Sequence, residues 1–344
     1  MSQYRSIKGA DIMATIGHYY IRSCISAAKN KGVDTKSLMM MAGIAPSSIT
    51  QKRRTTDHSM NLLLNALMNQ TQDAFFGFSI QPISPNFYQL LLKSVVLSKD
   101  IAQAIETLQT GLALVGCELN YDAQEQPITL KIKHEHHDPE HFLQEYLMVF
   151  IHRLLSWLAN KAIPLLSVCV SYEPQDYQTE FDLLFRCSTK PNQRYNGLIF
   201  DADILSWPVL QESDNVHDVI KKFPLIVLRF PDTADALDQQ VYRLIKQYFH
   251  QHNNLPNVLF ITKSLNTSSA TLRRQLGRLD TSFSQIKMEL TQQQAMILLK
   301  NPKNTIEMIA SQLGYSEARA FSRMFKQWTE LTPSQYRQLF LQQL

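Results

Sequence analysis

The feature that most constrains this chain is a pattern that occurs twice in its last hundred residues. In LFITKSLNTSSATLRRQL, Leu259–Leu276, Ile261 and Leu265 are the apolar residues of a short first helix and Asn266 suits a left-handed turn. Ser268 then caps a second helix, which Leu272 and Leu276 anchor from inside. The pattern returns in TIEMIASQLGYSEARAFSRMFKQW, Thr305–Trp328, with Ile306, Ile309 and Leu313 on a first helix, Gly314 at the turn, Ser316 as the expected cap, and Phe321 and Phe325 as inner anchors. Leu265 maps onto Leu313 at an offset of 48 and Leu272 onto Phe321 at 49, so the second turn is one residue longer. Two helix-turn-helix units in register make the tail an all-α domain.

The outer faces say what such a pair would touch. At about 100° per residue from Leu272, the second helix of the first unit turns Ala270, Arg274, Gly277 and Arg278 outward, with Arg273 on the flank. In the second unit the corresponding face holds Arg319, Ser322, Arg323 and Lys326. Guanidinium forks on a capped helix match guanine O6 and N7 in the major groove, so Arg273, Arg274, Arg319 and Arg323 are the candidate base readers. Ala270 is placed to meet a thymine methyl, and Ser268, Ser316, Arg278 and Lys326 to hold phosphates. Ser269 and Ser322 complete the expected DNA-binding set. Between the units, Phe283, Ile286, Leu290 and Ile297 share one face of a helix over 282–300, which fixes their spacing. The two reading helices are therefore expected in successive major grooves of double-stranded DNA, about 34 Å apart.

Charge follows the same division. Residues 1–231 hold 21 Lys and Arg against 22 Asp and Glu, whereas residues 232–344 hold 13 against 8, a net of +5 confined to the tail. Other chemistries find little support. The chain of 344 residues has ten glycines and neither G-x-G-x-x-G nor G-x-x-x-x-G-K-[ST], which argues against nucleotide-phosphate chemistry on a glycine loop. Cys24, Cys117, Cys169 and Cys187 form no C-x-x-C pair and suit a reducing, cytoplasmic setting. No signal-peptide core or membrane-length apolar run is present, and no cofactor is expected.

Upstream the patterns are mixed. Helical periodicity over residues 11–30 (Ile12, Ile16, Tyr19, Tyr20, Ile25), Asp57–Met68 and Ile101–Leu114 gives way to a hairpin of Cys117–Tyr121 with the alternating Ile128, Leu130 and Ile132. Asp138-Pro139 reads as the start of a long helix through Trp157, and LLSVCVSY, FDLLFRC and NGLIF read as strands. The expectation is an α+β domain over 1–206, serving effector sensing and dimerisation. An irregular linker follows over 207–231, with prolines at 208, 224 and 231, and then the DNA-binding domain over 232–344. That domain places its helix-turn-helix units at about 258–279 and 305–328, after a helix from Asp235 to His250. His250 and His252 are expected to interact with the terminal carbonyls of that helix.

The tail resembles the DNA-binding domain of the AraC/XylS family of bacterial transcription regulators. Its signature, I-x-x-I-A-x-x-L-G-F-S followed by F-x-R-x-F-K-x-W-x-G-x-x-P-x-x-Y-R, is met by Ile306, Ile309, Ala310, Leu313, Gly314, Ser316, Phe321, Arg323, Phe325, Lys326, Trp328, Pro333, Tyr336 and Arg337. The departures are Tyr315 for phenylalanine, Glu330 for glycine, Thr291 for a usual linker-helix arginine, Ala270 for a commonly polar or basic residue, and Arg319 for a common serine or other polar residue. Further upstream, Tyr172-Glu173-Pro174, the run from Phe185 to Val209, the K-G-V-D run and Ala42–Ile44 are similar to the arabinose-binding-like N-terminal domain of one branch of that family. The resemblance implies a small-molecule sensor or dimerisation domain, without implying that arabinose is the ligand.

One cluster points elsewhere. His134, His136, His137 and His141 in HEHHDPEH read either as a metal or acid/base site of an enzyme or as a solvated loop and helix cap, with Pro139 lying between His137 and His141. The leading reading is a sequence-specific regulator in which an effector shifts the basic domain or a homodimer partner, and so changes promoter occupancy or RNA polymerase contact. A metal-dependent enzyme and a purely architectural DNA binder remain the alternatives.

Overall fold

The computed structural model describes residues 15–174, 178–224, 237–278 and 281–342. The chain packs as two units. One gathers Met1–His18, Asp34–Leu63 and Thr233–Leu344, the other Tyr19–Val33 and Leu64–Asp232. The first elements are β1 (Thr15–Ile16), α1 (His18–Asn30), α2 (Thr35–Met41), α3 (Ser47–Thr50), β2 (Thr55–Thr56) and α4 (Asp57–Thr71). The next are α5 (Phe87–Val95), α6 (Ile101–Ala113), β3 (Cys117–Asn120), β4 (Ile128–His134), α7 (Phe142–Leu158) and β5 (Ser167–Cys169). After these come α8 (Gln178–Phe185), β6 (Thr189–Lys190), β7 (Asn196–Phe200) and α9 (Ser213–Lys222). Mixed helices and strands here, followed by helices alone, bear out the expected fold class.

In the second of these units a five-stranded sheet runs in the order β3-β4-β7-β5-β6, antiparallel except for the β5–β6 pair. The expected hairpin is present, with Cys117 opposite His134 and Asn120 opposite Lys131. Gly197 lies opposite Lys131, where a Cβ would come within 2.8 Å of the Leu130 carbonyl oxygen, so only glycine lets the strands approach. Helix α7 packs on β4 and β7 and is buried on nearly every side, which its mostly apolar sequence permits. Its polar exceptions are matched. Burial pushes His152 down to about 3, and the neutral ring bonds the Ile163 carbonyl through Nε2 and Arg153 Nη1 through Nδ1, at 2.8 and 2.6 Å. A second buried group organises the turn after α4: the Asp73 carboxylate accepts from the backbone N–H of Phe75, Gly77, Ser79 and Ile83 and from the Ser79 hydroxyl.

Four segments differ from their local patterns. Ile16, expected on the helix over residues 11–30, lies in β1 paired with Thr55 of β2, and the helix begins at His18. FDLLF of FDLLFRC belongs to helix α8, not a strand, because Phe181 and Phe185 bury one helical face at i, i+4 spacing, and Arg186 leaves the helix at φ 54°. Asp182 Oδ1 accepts from both N and Oγ1 of Thr189, which ties the helix to β6. The long helix begins at Phe142 rather than at Pro139, because Asp138 Oδ2 is drawn to His134 at 3.5 Å and to the Gln144 N–H at 2.9 Å while His141 turns left-handed at φ 60°. Finally, the stretch expected to be irregular contains α9, which buries Val216 and Val219 and leads into the buried Phe223. Ile12, the linker residues 225–231 and the expected helix start at Asp235 lie outside the described residues.

Candidate nucleic-acid interface

The tail is a scaffold with two hydrophobic centres. Its elements are α10 (Leu237–His252), α11 (Val258–Ser264), α12 (Ser269–Arg278), α13 (Phe283–Leu299), α14 (Ile306–Gln312), α15 (Ala318–Thr329) and α16 (Pro333–Leu341). One core joins Val241, Tyr242 and Ile245 of α10 to Ile261, Leu272, Leu276, Ile286 and Leu290. The other joins Phe249, Ala295, Met296 and Leu299 to Ile309, Ala310, Leu313, Phe321, Phe325 and Tyr336. Helices α10 and α13 thus contribute to both cores, and Tyr242 donates to Gln293 Oε1 between them at 2.6 Å. At the far end of α10, His252 Nδ1 lies 3.0 Å from the Tyr248 carbonyl, the terminal interaction expected of it.

In the first unit, α11 starts where Asn257 accepts from the Phe260 N–H at 3.1 Å, and the turn passes through Asn266 at φ 48°. Ser268 Oγ accepts from the Thr271 N–H at 3.1 Å and so caps α12, as its place in the pattern requires. With Leu272 and Leu276 fully buried, Ser268, Ser269, Ala270, Arg273 and Arg274 all stand exposed. Arg278 ends α12, and its side chain lies outside the described residues.

The second unit repeats this with one shift. Thr305 caps α14, Gly314 takes φ 79°, and Phe321 and Phe325 sink into the core. Arg319, Arg323 and Lys326 are exposed on one stripe at i, i+4 and i+7, with Ser322 half-buried beside them. The cap of α15 is Glu317, not Ser316, and its carboxylate makes no capping bond. The longer second turn accounts for this, since Ser268 advanced by the same 49 residues that relate Leu272 to Phe321 falls on Glu317. Ser316 is exposed one residue before the cap, and Glu317, which the sequence pattern did not single out, is exposed as well.

Two of the positions that depart from the family pattern, Glu330 and Thr291, and two that keep it, Trp328 and Arg337, have structural roles. Glu330 ends α15 in the left-handed region at φ 63°, the conformation for which glycine is favoured. Thr291 is buried and bonds back to the Lys287 carbonyl at 2.7 Å. Trp328 packs against the second core, and Arg337 donates to the carbonyls of Leu299 and Asn304 at 3.1 and 2.6 Å.

Within the histidine cluster His134 and His136 stack with centroids 5.8 Å apart, and each also has a partner outside the cluster. His134 pairs with Asp138, His136 Nε2 meets the Val115 carbonyl at 2.7 Å, and His141 stacks on Tyr172 with centroids 3.7 Å apart. Burial lowers the affinity of His136 and His141 for protons. Among the described residues no three His, Cys, Asp or Glu side chains are grouped to hold a metal ion. The His134 side chain is 7% exposed, so this end of the segment is packed rather than solvated. Also among the described residues, no helix is long and apolar enough to cross a membrane.

A pair of core-supported helix-turn-helix units in a chain that also carries an α+β unit defines the class as a two-headed helix-turn-helix protein. The model for the arabinose-binding domain of AraC transcription regulators, N-terminal, matches residues 32–209, and that for a helix-turn-helix domain matches residues 261–339. The chain belongs to the AraC family of transcription regulators. It is similar to the ornithine utilization regulator of Pseudomonas aeruginosa, at 23% identity over 57% of each chain. It is also similar to the urease operon transcriptional activator of Escherichia coli, at 25% identity over 65% of this chain and 71% of the other. The chain thus spans little more than half the length of the first of these relatives. A solved structure of the regulator CdpR from Pseudomonas aeruginosa aligns over 93% of this chain and 98% of that one, at 14% identity and a TM-score of 0.31.

Proposed function

We propose that this chain is a sequence-specific DNA-binding regulator that lays α12 and α15 in successive major grooves of promoter DNA. The observation that carries the reading is the equivalent placement of exposed Arg274 and Arg323, related by the same 49 residues, on two core-anchored second helices, with Arg273 exposed beside the first and Arg319 one turn before the second. The unit with the five-stranded sheet serves as the sensor, and its match to an arabinose-binding domain model supports control by a small-molecule effector. In this reading the chain is not an enzyme, acts in the cytoplasm, and transmits the effector signal through promoter occupancy, homodimer geometry or RNA polymerase contact.

Selection of genomic fragments by the full-length protein at near-physiological salt tests the reading, because such salt suppresses non-specific phosphate binding. A few promoters sharing two half-elements about one helical turn apart are expected. Failure to enrich any sequence overturns it. On an enriched site, Arg274→Ala and Arg323→Ala each cost about 1–3 kcal/mol and relax the base preference of one half-element. Lys326→Ala instead weakens all sequences alike and flattens the salt dependence by about one counterion. Titrations over a salt series separate the two behaviours, and unchanged preference in both arginine variants would exclude them as base readers.

A further inference from the structure

The second helix-turn-helix unit has a covered back. Residues 34–63, all of them within the stretch that matches the N-terminal domain model, pack in the same unit as the reading helices. The Tyr336 hydroxyl on α16 donates to the Met41 carbonyl at 2.8 Å, and Gln292 Nε2 on α13 donates to the Gly43 carbonyl at 3.3 Å. Gly43 itself has φ +73°, a conformation that favours glycine, and a Cβ there would come within 2.6 Å of Met296 Sδ on α13 and displace that flexible side chain. Ala42, Ile44 and Ala45 are buried around it, and Leu62 packs against the second core. The last contact explains a departure from the family pattern: Glu330, in the left-handed position that favours glycine, accepts through Oε1 from the Ser47 N–H at 3.3 Å. A residue suited only to the turn would be glycine; a glutamate holds the neighbouring segment as well.

Both ends of this segment continue into the other unit. Val33 precedes it, and α4 begins within it at Asp57 and runs on to Thr71, beyond the division at Leu63. We propose that residues 34–63 are a strap through which the sensor half sets the position of the second reading unit, with Glu330, Tyr336 and Gly43 as its fastening points. A displacement of α1 or α4 then reaches α13 and α16 through this strap directly, in addition to any signal carried by the linker. The output of the strap rests on the DNA-binding reading above, whereas its docking does not.

The docking is tested in the full chain with Ser47→Cys and Glu330→Cys and a short thiol-to-thiol crosslinker. The four native cysteines are buried, and burial pushes Cys117 and Cys187 up to about 12, so they compete poorly. An intramolecular link in the double variant and none in either single variant is expected. Hydrogen exchange supplies a second measurement: Tyr336→Phe with Glu330→Gly speeds exchange of the amides over 38–52, while α12 keeps its protection. No link together with unchanged exchange overturns the strap. For the output, the undocked variant should bind the two-element fragment selected by the wild type about ten-fold more weakly, within the usual range of coupling between sites, and accept altered half-element spacing. Faster exchange with unchanged affinity and spacing overturns the coupling. A wild type that selects no DNA overturns the regulator reading and this output together, and the crosslink still decides whether the strap is docked.

Discussion

Phe325→Ala should destabilise the second helix-turn-helix unit by about 3–5 kcal/mol and leave the first nearly intact. The side chain is fully buried and its ring sits among those of Phe321, Trp328 and Tyr336, with centroids 5.8, 6.4 and 5.3 Å away. Truncation removes the centre of this aromatic group, and rigid helices on several sides keep the cavity from collapsing. The first core, around Ile261, Leu272 and Leu276, contains none of these rings, so its own packing survives. Hydrogen exchange provides the test: protection should fall over α14, α15 and α16 and persist over α11 and α12. On DNA the variant should lose the footprint over one half-element and keep the other. Equal loss of protection in both units would show that α10 and α13, which contribute to both cores, bind them into one cooperative block.

That division was legible in the sequence because helix-turn-helix units announce themselves locally. Short apolar spacings, a turn residue such as Asn266 or Gly314 and a following polar cap all fall within about twenty residues. The cap of α15 is harder to place, because Ser316 is a common capping residue type whereas the one-residue-longer turn puts Glu317, which makes no capping bond, at that position. FDLLFRC was ambiguous for a different reason: a short apolar run has no clear period, and only the burial of Phe181 and Phe185 on one side decides for a helix. Helix α9 hid behind the prolines that bracket it, which mark its edges rather than its absence. The strap was not legible at all. Its contacts join Met41, Gly43 and Ser47 to residues about 250 to 300 positions away, and no local period records such a pairing. The sequence did show Glu330 at odds with the family pattern, but its meaning required the partner that only the fold brings near.

Glu289 should make the tail unit less stable as the pH rises from 4.5 to about 8. Its side chain on α13 is buried, and burial, followed by the charges of Asp57 and Asp238 and opposed by a hydrogen bond from Gln285, pushes its carboxyl from an ordinary 4.5 up to about 8. Between those values the unfolded chain has shed a proton that the folded chain still holds. Stability therefore falls with rising pH across that window, by at most about 1.4 kcal/mol per pH unit, and levels off above it. Replacing the acid with an amide of the same shape removes the titration. Glu289→Gln should match the wild type below pH 4.5 and exceed it at pH 8.5, by an upper bound on the order of 4–5 kcal/mol. Urea unfolding of both proteins over this range isolates Glu289 and its coupling to Asp57 and Asp238, because the titrations of uncoupled groups cancel in the difference. Parallel curves would mean that Glu289 is ionised in the fold. Because Asp57 lies at the start of α4, inside the strap, a sloping difference should also appear as faster exchange over 38–52 in the wild type at high pH, and less so in the amide variant. The carboxylate charge forced on α13 would then act on the same segment that Glu330 and Tyr336 fasten to the second unit.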